Sequence, residues 1–163
     1  MSKIKPCFWF NKQAPEAAEF YKSVLPDTRI EAREDAAGDF PDGHKGDPLL
    51  IEMTLVGMPV TFLNAGPHFT FNEAISFQLF CDDQAEVDRY WEALCANPES
   101  AQCGWTKDRF GLSWQIIPRR YVELMKGSDG LAQERIMKAM LRMKKLDIVE
   151  LEKAAATSDS IST

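Results

Sequence analysis

The sequence predicts an α+β fold: two paired β-α-β-β-β modules form a curved mixed sheet around a cleft, with a C-terminal helical extension. Three observations carry this expectation. The stretches CFWFNKQAPEAAEFYKSVL (7–25) and FQLFCDDQAEVDRYWEAL (77–94) both read as a strand, a polar turn and an amphipathic helix. Each is followed by short apolar runs of strand character, and beyond residue 118 the pattern turns helical.

The first strand covers 4–10, where bulky apolar residues dominate. Pro15 opens a helix over 15–25, because its missing N–H is no loss in a first turn, and Pro26 ends it. Ala17, Phe20, Tyr21, Val24 and Leu25 share one helix face. In the second copy Asp83 and Glu86 read as a capping box, and Val87, Tyr90, Trp91, Leu94 and Cys95 repeat the spacing. The copies align at a constant offset, 90 − 20 = 70.

Strands are expected at 28–34, 49–57 and 59–64 in the first half, and near 100–103, at 105–110 and at 112–118 in the second. Gly57 and Gly111 mark hairpin turns, and the Gly-, Pro- and Asp-rich stretch 35–48 reads as a mobile loop. Helices follow at 119–126, at 130–143 with Ile136, Met140 and Met143 on one stripe, and at 148–155, where Asp147 and Glu150 form the cap. The methionines suit packing, since flexible thioether side chains fill irregular gaps. The paired domain thus spans 1–118 (modules 1–66 and 74–118), packed helices span 119–156, and a disordered tail spans 157–163.

Composition bounds the partners. A net charge of −6 with scattered Lys and Arg argues against nucleic acid. No apolar run reaches the ~18 residues of a membrane span. The N-terminus MSKIKPCFWF lacks signal-peptide character, so a cytoplasmic location is expected. Cys7, Cys81, Cys95 and Cys103 form no C-x-x-C pair and read as reduced thiols, and the only histidines, His44 and His68, exclude a multi-histidine metal site within one chain.

The doubled unit, with AEFY in the first helix and KDRFGLSWQI closing the second module, resembles the vicinal oxygen chelate superfamily of glyoxalase I, extradiol dioxygenases and bleomycin-resistance proteins. The stretches FLNAGPHFTFNEAISFQ (62–78), DRYWEAL (88–94), CGWTKDRFGLSWQIIP (103–118) and RIMKAMLRMKKLDIVELEKA (135–154) are similar to its PhnB-like branch, labelled 3-demethylubiquinone-9 3-methyltransferase. The resemblance implies a homodimer. It also implies four metal-ligand positions, which fall here on Pro6, Ser76, Gln115 and Thr61 (or Phe62). None is His, Asp or Glu, so the expectation is no metal and no cofactor.

Alternation places Phe8, Phe10, Ser76, Gln78, Phe80, Ser113 and Gln115 on the inward face, a wall suited to a neutral or weakly polar small molecule or simply to filling space. Asn64, His68 and Trp105 join the candidate ligand contacts, although Asn64 also suits turn shaping and His68 the pinning of its own loop. Two catalytic candidates stand beside them. Glu52 shares a strand face with Leu50 and Thr54: turned inward it would be a carboxylate of raised pKa, turned outward a solvated one. Cys103 is either a nucleophile served by a base such as His68 or an inert buried thiol. Asp108 and Arg109 suit a role in setting the hairpin.

The leading expectation is a metal-free small-molecule-binding protein. The rivals are a superfamily enzyme of lyase, isomerase or dioxygenase type, a methyltransferase and a scaffold. For the methyltransferase the glycine-rich G-x-G-x-x-G turn is missing.

Overall fold

The computed structural model describes residues 3–157. Its strands fall into two hydrogen-bonded sheets, of four and three strands, rather than one large sheet. They belong to two units, Met1–Phe71 and Asn72–Thr163.

In the first unit β1 (Cys7–Phe10), α1 (Ala14–Val24), β2 (Arg29–Asp35), β3 (Pro48–Leu55) and β4 (Met58–Asn64) follow in order. The sheet runs β1-β4-β3-β2, with β1 parallel to β4 and the other neighbours antiparallel. Side chains alternate across it. Phe8, Phe10, Ile51, Met53, Val60 and Phe62 are buried, and so are Ala14, Ala17, Ala18 and Tyr21 of α1. Ring contacts join the two layers: Phe62 lies 4.8 Å from Phe10 and 5.8 Å from Tyr21, centroid to centroid. Truncating Phe62 to Ala in such a core costs about 3–5 kcal/mol.

No Ser, Thr, Asp or Asn caps α1. Asn64, at the end of β4, accepts instead from the Ala14 N–H at 3.1 Å and donates to the Pro48 carbonyl at 3.0 Å. One amide thus fixes the helix start and the β3 start together. The stretch 35–48, expected as an open loop, is closed by backbone bonds from Ala36 N to Asp47 O and from Gly46 N to Ala36 O, both 2.8 Å.

In the second unit β5 (Phe77–Cys81), α2 (Gln84–Leu94), β6 (Trp105–Lys107) and β7 (Ser113–Pro118) make a sheet of order β5-β7-β6. The strand expected near 100–103 does not form, so this unit is β-α-β-β; a lone bridge joins Gln102 to Trp105. The cause is local. Asn97 draws the chain into a turn by accepting from the Glu99 N–H at 3.1 Å, Pro98 has no N–H to give, and Cys103 and Gly104 take left-handed backbone at φ 54° and 82°. Strand 105–110 likewise stops at Lys107, because Asp108 pulls the hairpin closed. It is 4% exposed and accepts from Phe110 N (2.9 Å), Leu112 N (3.1 Å) and the Trp114 indole (2.8 Å).

The copies are offset by 69 residues, not 70. The buried helix residues Ala18, Tyr21 and Leu25 correspond to Val87, Tyr90 and Leu94, as 90 − 21 = 69. A slip of one residue reverses the face of a strand. Phe8 and Phe10 therefore match Phe77 and Leu79 on the helix-facing side, and the expected inward placement of the two phenylalanines is corrected.

Three further helices follow, α3 (Arg119–Gly127), α4 (Gly130–Leu141) and α5 (Ile148–Ala156), with Asp129 and Asp147 capping the last two. Ile136, Leu146 and Leu151 are buried together, with Tyr121, Leu124, Met140 and Met143 packed around them. The methionines are packing residues here. This layer is pinned by Cys103 N to Met143 O and Gly104 N to Lys144 O, both 2.8 Å. The Gln84 amide adds two bonds, donating to Leu146 O and accepting from Ile148 N. Of the tail expected at 157–163, residues 158–163 lie outside the described residues; Thr157 N bonds Lys153 O at the end of α5.

Candidate functional site

The face of the second sheet turned away from α2 carries a row of neutral polar groups. Strands β5 and β7 run parallel with Gln78 opposite Gln115, so their side chains leave the same face. Gln115 Nε2 donates to Ser76 Oγ at 2.8 Å, and Gln78 Nε2 donates to Gln115 Oε1 at 3.3 Å. The row is directional: each amide donates onward, which leaves the Gln78 carbonyl oxygen at one end. Gln78 is exposed, whereas Ser76 and Gln115 are half-buried.

Apolar surface flanks the row. Trp105 is the register partner of Gln115 on the β6 side and is 38% exposed; Phe80 is 39% exposed, with the Arg119 guanidinium 5.5 Å from its ring centre. Ser113, on the same face, is 1% exposed. A flat aromatic rim around a short line of amide and hydroxyl groups can hold an uncharged or weakly polar molecule by stacking and one or two hydrogen bonds.

On the first sheet the corresponding face carries Cys7, Thr61 and Glu52, brought together because Cys7 pairs with Thr61 and Thr61 with Glu52. Thr61 Oγ1 donates to Glu52 Oε1 at 3.0 Å, and Lys5, a partner the sequence reading missed, forms an ion pair with the other carboxylate oxygen. The hydrogen bond from Lys5 is the largest cause holding the Glu52 carboxyl below its ordinary range. Of the two alternatives for Glu52, the raised pKa of a carboxylate in an apolar pocket does not hold: its pKa is lowered and its charge is matched by Lys5. Burial, with the Glu52 charge beside it, pushes the Cys7 thiol up.

The remaining candidates disperse. Phe8 and Phe10 belong to the helix-facing core and touch no open face. The Asn64 amide is committed to backbone on both sides, although the residue lines a cavity of about 280 Å³ with Lys12, Phe40, Asp42 and Asp47. His68 Nε2 lies 2.5 Å from Asp42 Oδ2, within its own unit, and its ring meets Trp9 edge-on. Cys103 serves through its backbone in docking the segment after α4.

The implied metal positions shift with the corrected offset. Pro6 is not the open-face residue of the first strand; Cys7 is, and Phe62 is buried on the opposite side from Thr61. These donors do not fit a resident divalent ion. At the implied positions the second unit offers only the Ser76 hydroxyl and the Gln115 amide, Glu52 is already matched by Lys5, and no three His, Cys, Asp or Glu residues gather among the described residues.

Comparison with known proteins follows the same lines. The family model described as 3-demethylubiquinone-9 3-methyltransferase matches residues 2–117, ending just before α3. The solved structure of a PhnB protein from Bacillus cereus is similar at 26% identity and a TM-score of 0.60, covering 72% of this chain and 99% of that one. Protein PA1353 from Pseudomonas aeruginosa shares the fold, with a TM-score of 0.54 at 24% identity over 72% of this chain and 98% of its own. No curated protein matches. With the match running from the start of the first unit to the end of its second sheet, the chain belongs to the 3-demethylubiquinone-9 3-methyltransferase family, in its PhnB-like branch.

Proposed function

We propose that this protein binds a small, uncharged organic molecule on the open face of its second sheet, without a metal ion. The observation that carries the reading is the Ser76–Gln115–Gln78 row, which ends in the exposed amide of Gln78 on the same strand as Phe80, with Trp105 across the sheet beside Gln115. Polar side chains bonded to one another in line keep a fixed orientation, so a ligand meets preformed donors and acceptors rather than ordering them itself.

Catalysis by Glu52 or Cys103 receives less support. The carboxylate is bonded to Lys5 and Thr61, and Cys103 bonds through its backbone N–H to the Met143 carbonyl. Methyl transfer, which the family description names, is ordinarily served by a doubly wound parallel sheet; the described strands make two small mixed sheets instead.

The test is a small-molecule fragment screen followed through the side-chain amide signals of Gln78 and Gln115, with S-adenosylmethionine included. Saturable shifts by uncharged aromatic or amide fragments, weakened in Gln115→Leu, are expected. Micromolar binding of S-adenosylmethionine would restore the methyltransferase reading, and a face silent to every fragment would end this one.

A further inference from the structure

We propose that a pocket beside β6 is a subsite for a small carboxamide group, an inference that rests on the open face of the second sheet being the binding face. The pocket, about 150 Å³, is lined by Glu73, Ser100, Trp105, Thr106, Lys107 and Ser113. Its origin lies in the departure from the repeat. In the first unit β3 is flanked by β2 on its outer side; among the described residues the equivalent strand β6 has no strand there. The segment 96–102 covers that edge through only a few backbone bonds, among them Ala96 N to Lys107 O (3.0 Å) and Gln102 N to Trp105 O (3.1 Å). Where a strand would have packed side chains, room remains for about five waters at ~30 Å³ each.

The polar lining is unfinished. Ser113 is 1% exposed and its hydroxyl has no partner; Thr106 also carries a buried unpaired hydroxyl, but it lies in register with Trp114 and leaves the other face of β6. Ser113 sits opposite Lys107 in the β6–β7 register and so faces the same side as Lys107 and Trp105. Buried hydroxyls are ordinarily satisfied, which points to an occupant able to both accept and donate.

Charge selects among occupants. Lys107 and Glu73 form an ion pair at the pocket, so the lining is neutral as it stands. A carboxylate would meet the Glu73 charge, and an ammonium that of Lys107. A carboxamide disturbs neither: its oxygen accepts from the Ser113 hydroxyl, its N–H donates to the Ser100 oxygen, and its alkyl part lies on the Trp105 ring.

Butyramide, with butyrate and butylammonium as charged isosteres, tests this through the Trp105 indole N–H signal, identified by its loss in Trp105→Phe. Butyramide is expected to shift the signal saturably while the ions do not. Ser113→Ala should weaken it about tenfold with an unchanged or higher melting temperature, because it removes an unpaired buried group. Tighter binding of butyrate, or no saturable shift (a pocket holding water only), overturns the proposal. Loss in Gln115→Leu but not in Ser113→Ala also overturns it, while leaving the proposed function of the face standing.

Discussion

Asp108 and Trp114 are joined by a 2.8 Å hydrogen bond from the indole N–H to a carboxylate oxygen, inside the second unit. The same carboxylate holds the backbone of the β6–β7 turn, so one buried side chain ties the hairpin to the tryptophan beneath it. Asp108→Ala leaves those donors without their partner. It is expected to lower stability by about 2–4 kcal/mol, read as a reduced denaturant midpoint. Trp114→Phe removes one donor and should cost less; equal stability of Asp108→Ala and the parent chain would contradict the arrangement.

Gly104 takes φ +82°, and a Cβ there would meet the Ile116 carbonyl oxygen at 2.9 Å and Leu146 at 3.2 Å. Gly104→Ala is expected to cost roughly 2–3 kcal/mol, from the left-handed backbone and the clash together. Cys103→Ala keeps the backbone bond to Met143 and should stay within about 0.5 kcal/mol of the parent. Thermal melts of the two variants decide between a backbone role and a thiol role for this pair.

The Glu52 carboxyl is held below its ordinary value of 4.5 first by the hydrogen bond from Lys5, which outweighs the opposing effect of burial, with smaller help from the Thr61 hydrogen bond and the Lys5 charge. A depressed folded pKa stabilises the fold above the unfolded value and loses that contribution as pH falls through the folded one. Carbon-detected titration should place Glu52 below 4.5, and Lys5→Met should raise it. A midpoint at or above 4.5 in the parent chain would remove the ion pair from the account.

The thiols should separate by environment. Burial pushes Cys81 up to about 12, and its side chain is wholly enclosed, so a thiol reagent at pH 8 should leave it unmodified until the protein unfolds. Cys7 is exposed, but its raised pKa should slow its reaction relative to a free cysteine. Mass spectrometry after timed labelling reads both; rapid native labelling of Cys81 would contradict the packing of β5 against α2.

Much of the architecture is legible from residue order. Pro15, the Asp83–Glu86 box and Asp147 with Glu150 mark helix starts that the structure shows, whereas the Asp129 cap emerged only from the structure. The placement of Ser76, Gln78, Phe80, Ser113 and Gln115 on one face follows from alternation in β5 and β7. In the first strand alternation misled, because the aromatic neighbours Phe20 and Tyr21 leave the buried helix face ambiguous by one residue. Lys5 was invisible as a partner of Glu52, since the two are brought together only by strand pairing.

By itself the sequence determined the element types, the duplication and the neutral chemistry of the second face, because periodicity and capping are local properties of the chain. Only the tertiary structure decided the offset of 69, the replacement of a fourth strand by the 96–102 segment and the unfinished pocket that results. The offset depends on which of two adjacent aromatics enters the core, a choice made by packing between elements distant in the chain, and the pocket on how the 96–102 segment lies along β6.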